Sequence, residues 1–222
     1  LAHQVDEMSA FGCIVAVNMP VTETIVDYMK EKKMFVEVII APSFDEKALK
    51  RLKTRENLRI LETGDLKLDL LKTDIKKVAG GILIQTKDTY SLKPEDLKVV
   101  TKKVPTDEEI QSMLFGTKVC KHVLSNSVVM SKGTVVTGVG AGQMSRLDAV
   151  KIAGIKGGER ISGSVMSSDA FFPFADAMEE AAALGVVAFI QPGGSVRDEE
   201  VIKRADELGV SMLFSGRRYF RH

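Results

Sequence analysis

Cysteine is scarce in this chain, and long hydrophobic runs are absent. Cys13 and Cys120 are the two cysteines among 222 residues, and neither has a second Cys or His at ligand spacing. Cys120 precedes Lys121-His122, but one Cys and one His cannot close a zinc site, so no metal is expected. A reducing, cytoplasmic setting is the expectation. No signal-peptide pattern and no span of about twenty apolar residues occurs, so no membrane partner is expected. Charge of one sign is also missing. Lys and Arg number 31 against 30 Asp and Glu, a formal charge of +1. With no basic stripe or polybasic tail, a nucleic-acid partner is not expected. The familiar phosphate-binding patterns fail too: Gly-x-Gly-x-x-Gly begun at Gly138 ends on Gln143, begun at Gly140 it ends on Ser145, and no P-loop Gly-Lys-Ser/Thr exists.

What is present is an α/β grammar. Hydrophobic residues at 45% and charged residues at 27% suit a soluble globular protein, large enough for one domain or two small ones. Short apolar runs alternate with amphipathic stretches. Phe11 to Val17 reads as a buried strand, Val21 to Lys32 as a helix capped near Thr22, and Val36 to Ala41 as a strand closed by Pro42. A helix over Asp45 to Arg55 and a strand over Leu58 to Leu61 follow, ending near Thr63-Gly64. The second half repeats the order: strand Val186 to Ile190 closed by Gln191-Pro192-Gly193-Gly194, helix Asp198 to Leu208, strand Val210 to Phe214, then Ser215-Gly216. The match in order and length predicts an internal duplication and two related lobes. Gly80 to Gln85 reads as a further strand. Thr106-Asp107-Glu108-Glu109 opens a helix with a cap and acids in its first turn. The lobes are expected over 1–92 and 106–222, with a linker over 93–105.

Four patches put unusual chemistry where strands give way to loops, a common place for ligand sites. They are Ser125-Asn126-Ser127, Gly138 to Arg146, Ser167 to Phe174 and Arg217 to His222. Val135-Val136-Thr137 reads as a strand, Gly138 to Gly142 as a tight loop and Ser145 to Ala153 as a helix, whose free amides could attract an anion. A plain strand-to-helix turn fits that spacing equally well. Phe171-Phe172-Pro173-Phe174 fits core packing, yet Asp169 and Asp176 beside it would suit a flat heterocycle with N–H donors. Asn126 both donates and accepts. Arg218 could hold a phosphate or carboxylate. His122 reads as structural or surface, and His222 as a terminal residue ordered only if Tyr219-Phe220 anchors it.

These residues together resemble the aminoimidazole carboxamide ribonucleotide (AICAR) formyltransferase domain of the bifunctional purine-biosynthesis family. The resemblance rests on Ser125 to Val128, Gly138 to Arg146, Ser168 to Phe174, Gln191 to Ser195 with Arg197-Asp198, and Phe220-Arg221-His222; Ser9-Ala10-Phe11-Gly12 resembles a motif of that domain's first lobe. It implies duplicated cytidine-deaminase-like lobes, three-layer α/β/α and without zinc. The implied reaction moves a formyl group from 10-formyltetrahydrofolate, a co-substrate, to the 5-amino group of AICAR on the way to IMP. Carried over, Asn126 would bond the carboxamide and orient the amine as the catalytic residue within this chain. Gly12, Glu37 and Arg146 would contact the nucleotide, and Leu147, Phe171, Asp176, Ser195, Val196 and Arg218 the folate. Phe220 and His222 would line the site from the tail. The resemblance also implies a homodimer with shared sites and an IMP cyclohydrolase in a separate N-terminal domain.

That reaction has a weak nucleophile, because the amine's lone pair is delocalised. A site must align amine and formyl carbon, take up a proton and stabilise an oxyanion. In the family an adjacent Lys-His pair serves the last two tasks, upstream of the Ser-Ala-Phe-Gly motif. The sequence, which opens on Leu1, is expected to be a fragment without it. Lys121-His122 is the same dipeptide in the wrong lobe, and the role is not transferred to it. A catalytically inactive folate- or nucleotide-binding module is the alternative reading.

Overall fold

The computed structural model describes residues 1–65 and 73–221. The chain divides into two compact units, one of Asp6–Thr89 and one of Tyr90–His222 together with Leu1–Val5. Leu1–Val5 joins the latter because the Arg160 guanidinium donates to the Val5 carbonyl at 3.1 Å.

In the Asp6–Thr89 unit, β1 (Cys13–Ala16), β2 (Val36–Ala41) and β3 (Arg59–Glu62) form a parallel sheet in the order β1-β2-β3. Helices α1 (Glu23–Glu31) and α2 (Glu46–Leu52) connect the strands. They bury Val26, Met29, Ala48 and Leu52 against Val36, Ile39 and Ala41. The strand expected over Phe11 to Val17 is shorter and only half buried, with Ile14 66% exposed. Its alternation of outward and inward residues is that of a strand covered on one face. A hairpin follows, β4 (Thr73–Val78) against β5 (Gly81–Thr86), turned by Ala79-Gly80 and exposed at every position.

The larger unit carries a six-stranded mixed sheet. Its strands are β6 (Lys98–Val99), β7 (Val128–Lys132), β8 (Val135–Gly140), β9 (Val165–Ser168), β10 (Ala188–Gln191) and β11 (Ser211–Phe214), in the order β6-β11-β10-β9-β7-β8. Strands β9, β10 and β11 run parallel, while β7 is antiparallel to β8 and β9. The stretch 93–105, read from sequence as a linker, carries β6, which pairs with β11 at the sheet edge. Helix α3 (Asp107–Cys120) covers one face through Met113 and Leu114, which pack with Val165, Ala188, Ile190 and Leu213. Its start has the capping box read from sequence: Thr106 Oγ1 accepts from Glu109 N, and Glu109 Oε2 accepts from Thr106 N. Helices α4 (Arg146–Gly157), α5 (Asp176–Ala183) and α6 (Asp198–Leu208) cover the other face around Met166, Phe172, Phe189 and Met212. The result in this unit is three layers, helix, sheet and helices.

The sequence repeat has a local structural counterpart. After β3, Thr63 N donates to Ala41 O at 3.0 Å and Gly64 N to Pro42 O at 3.1 Å. After β11, Ser215 N donates to Gln191 O at 2.9 Å and Gly216 N to Pro192 O at 3.0 Å. Gly64 and Gly216 share a positive φ, 66° and 64°. The same strand, proline, helix, strand and glycine turn is thus built once in each unit.

The glycine-rich stretch differs from its sequence reading. Gly138 and Gly140 lie within β8, not in a loop. A methyl group on Gly140 would collide with the Ala149 carbonyl of α4, and one on Gly138 would lie 2.7 Å from the Ala153 carbonyl. The glycines let helix and strand backbones approach closely. We predict that Gly140→Ala lowers unfolding free energy by about 2–3 kcal/mol through overpacking. Ile155→Ala, on the exposed side of α4 (77% exposed), should stay within about 0.5 kcal/mol. Urea midpoints of both variants check this.

Candidate functional site

The pairing of the six strands sets one row of residues across the larger sheet. Gly140 stands beside Val128, Val128 beside Ser168, and Gln191 beside Phe214, with Ile190 beside Ser167. The loops leaving β8, β9, β10 and β11 and the loop entering β7 therefore lie along one edge. The described residues of all four sequence patches, together with Gln191 to Ser195, lie in those loops or at the strand and helix ends that flank them. This is the carboxyl edge of the parallel strands, where open α/β sheets bind ligands.

At the middle of this edge sits an ion pair shut away from water. Asp169, just past β9, is fully buried, and Arg146, in the first turn of α4, is 7% exposed. Arg146 Nη1 lies 2.5 Å from Asp169 Oδ1 and also contacts Ser127 O at 3.1 Å and Ser168 Oγ at 2.9 Å. Asp169 Oδ2 accepts from Ser127 N at 3.1 Å. A buried cation at a helix N-terminus gains nothing from the macrodipole; here a buried carboxylate compensates it. The same helix start is capped by Ser145, whose Oγ accepts from Asp148 N at 3.0 Å.

Arg146 Nη2 donates to Asn126 Oδ1 at 3.1 Å. Asn126 Nδ2 donates to Gln143 O at 3.0 Å and Met144 O at 3.2 Å. The Asn126 carboxamide is thus bound at both ends, between the guanidinium and the loop before α4. The Ser125-Asn126 peptide is cis. Two residues picked from sequence for the same ligand, Asn126 and Arg146, are in direct contact.

The aromatic run splits by role. Phe172 is core, fully buried and edge-on to Phe189 at 6.3 Å between ring centres. Its amide donates to the buried Gln191 side chain at 3.0 Å. Phe171 is half-buried and stacks with the Arg218 guanidinium at 4.9 Å, while Phe174 carries Arg197 at 4.6 Å. Asp176 is exposed at the start of α5, and its Oδ1 accepts from Ala177 N. Ser195 and Val196 sit in the turn before α6, Val196 fully exposed, and Leu147 packs partly into the core. Gly194 N and Ser195 N both point at Asp198, so this turn's amides already hold a carboxylate.

Among its described residues the tail has no regular structure, but it is tied down. Tyr219 is buried, and its amide donates to the Asp169 carbonyl at 2.9 Å. Ser125 N donates to Arg221 O at 3.0 Å, and Arg221 N to Ser125 Oγ at 3.1 Å. Arg217 lies over the Tyr90 ring at 3.9 Å; a hydrogen bond to Asp96 is the main reason the Tyr90 hydroxyl pKa is raised. Phe220 is exposed, and His222 lies outside the described residues. Lys121 contacts the Tyr90 carbonyl, and His122 is exposed with its carbonyl accepting from Arg221. Gly12 and Glu37 belong to the Asp6–Thr89 unit. There Gly12, at φ 73°, donates its N–H to Phe35 O at 2.9 Å, and an added Cβ would meet Glu37 Oε1 at 3.3 Å.

Sequence reasoning set Asp169 beside the aromatic run, Gln191 in a loop motif and Tyr219 as a tail anchor, but did not foresee that Asp169 is the buried partner of Arg146.

With this geometry in place, the sequence comparisons decide the family. The family described as the AICARFT/IMPCHase bienzyme matches residues 1–156, well over half the chain. The chain belongs to that family. It is also 47% identical to the bifunctional purine biosynthesis protein PurH of Acetivibrio thermocellus over 223 aligned residues. That alignment covers the whole chain and 43% of the relative, so the chain spans less than half of that protein's length. The family match includes Gly12, Glu37, Asn126 and Arg146. Phe171, Asp176, Ser195, Val196 and Arg218 fall in the part covered by the alignment with the relative.

Two outcomes follow for this site. Arg146→Ala strands Asp169 as a lone buried charge, so it should cost about 3–5 kcal/mol, and Arg146→Met with Asp169→Leu should recover most of that loss; chemical denaturation of both measures it. The second concerns Cys120. Burial pushes its thiol up to about 12, the Ser127 hydroxyl opposing the rise and Asp169 adding to it. In the unfolded chain the thiol ionises from about 9 upward, while in the fold it stays neutral. Its stabilisation is present below pH 9 and lost as pH climbs toward 12. Cys120→Ala should therefore flatten the alkaline limb of the stability curve. At pH 8 the native protein should expose to a thiol reagent only Cys13.

Proposed function

We propose that this chain supplies much of the nucleotide and folate pockets for formyl transfer from 10-formyltetrahydrofolate to the 5-amino group of AICAR, in de novo IMP synthesis. The observation that carries this reading is the contact between Asn126 and Arg146, on the same sheet edge as the Phe171–Arg218 stack. An amide, a guanidinium and an aromatic face are the groups needed around a phosphorylated imidazole and a pterin. Asn126 orients the amine; Phe171 and Arg218 present a face and a charge to the folate, and Asp176, Ser195, Val196 and Leu147 belong to the folate side in this reading. Gly12 and Glu37 are nucleotide-contacting residues in this reading, and Phe220 and His222 line the site. The two units are duplicated deaminase-like lobes in this reading, which the repeated glycine turn supports. The protein acts as a homodimer with shared sites, and the full-length enzyme carries the cyclohydrolase as well.

The chemistry asked of these residues is alignment. A delocalised amine attacks a formyl carbon only when held close and in line, and such positioning accounts for a large part of the barrier lowering. Proton uptake and oxyanion stabilisation fall to the family's Lys-His pair in the full-length protein. A binding module without transfer would use the same pockets, and a single-turnover assay with both substrates separates the two.

In the full-length protein, Asn126→Ala should slow single-turnover transfer by about 100-fold, the usual cost of one oriented polar group at a reacting centre. Arg218→Ala should weaken folate binding about tenfold and leave AICAR binding within about twofold. Calorimetric titration with each ligand checks the second; equal losses for both ligands would contradict the assignment.

A further inference from the structure

The Asn126 carboxamide has two nearly isosteric orientations that exchange its oxygen and its NH2 group. Its neighbours permit one of them. Arg146 Nη2 is a donor that cannot accept, and it faces Oδ1 at 3.1 Å. Gln143 O and Met144 O are acceptors that cannot donate, and they face Nδ2 at 3.0 and 3.2 Å. Both Nδ2 hydrogens are therefore taken, and the valence left for a ligand is the second lone pair of Oδ1. Arg146 can enforce this only if its own guanidinium is fixed. Asp169 fixes it: fully buried, it pairs with Nη1 through Oδ1 and holds Ser127 N through Oδ2. Its own backbone N–H donates to Ser127 O and its carbonyl accepts from Tyr219 N. One residue thus braces the strand entry that bears Asn126, the helix that bears Arg146 and the tail.

We propose that Asp169 is a positioning residue: by locking Arg146 it sets the Asn126 amide to present an acceptor to the ligand. Asn126 then selects a group that donates N–H at that point, an amine or a carboxamide, and rejects the matching carboxylate, whose oxygens would face Oδ1 lone pair to lone pair. This rests on the proposed function for the identity of the ligand, while the orientation of the amide does not. A site that leaves a polar group opposed discriminates strongly, by factors well above those of shape alone.

The test uses the full-length protein, with AICAR and the ribonucleotide in which the carboxamide is replaced by carboxylate as the two probes. Wild type should prefer the carboxamide by at least about 100-fold, and Asp169→Asn should narrow that preference at least about tenfold at temperatures where the variant is folded. If Asp169→Asn does not fold, Arg146→Lys replaces it: one ammonium cannot hold Asp169 and Asn126 together, and the same narrowing is expected. Selective 15N-asparagine labelling, with the Asn126 side-chain pair assigned by its loss in Asn126→Asp, follows that pair in the full-length protein. That pair should be protected from exchange in wild type and lose protection in the variant. A folded variant with an unchanged preference and an unmoved Asn126 pair reduces Asp169 to a structural role and overturns the proposal. If wild type binds neither probe, the functional reading fails, and the exchange measurement alone still decides whether Asp169 governs the amide.

Discussion

The buried pair Arg146–Asp169 is the constraint on which this edge of the molecule depends. Two ions removed from water are costly, and their attraction offsets that only when the remaining polar valences are met. Here Ser127 and Ser168 meet them, together with the Asn126 oxygen. The arrangement stabilises the fold little, since a well-packed apolar pair could do as well. What it supplies is direction. A cation and an anion in fixed places make the neighbouring strand entry, helix start and tail agree on one geometry.

Much of the fold was legible in the sequence because period and punctuation agreed. The reading of Asp198 to Leu208 as a helix coincides with α6, where acids open the helix and Gly209 closes it at φ 68°. The capping box at Thr106 was equally plain. The hairpin of β4 and β5 was half read: Gly81 to Thr86 is apolar, whereas Lys76 and Lys77 beside Asp74 hide the period of β4. The strand over Phe11 to Val17 was read too long and too deep, because apolar residues on an open sheet face carry the same letters as buried ones.

The site was legible in its members and not in its connections. Asn126 and Arg146 stand twenty residues apart, and nothing in spacing says that they touch. The glycines between them suggested a ligand loop, yet Gly138 and Gly140 serve the close approach of β8 to α4. Asp169 was read as a carboxylate beside the aromatic run and not as the buried partner of Arg146, because buried acids are rare. Contacts of this kind belong to the third dimension: the antiparallel register of β7 and β9 puts Val128 beside Ser168, and hence Ser127 beside Asp169.

Among the described residues, the tail after β11 has no strand or helix of its own. Its order comes from a buried tyrosine, a backbone exchange with Ser125 and stacked guanidiniums. None of these contacts belongs to the pairing between the sheet's strands. Ordering of this rim therefore rests on side-chain packing and not on strand pairing, so truncating Tyr219 would loosen the tail while every ladder stays zipped.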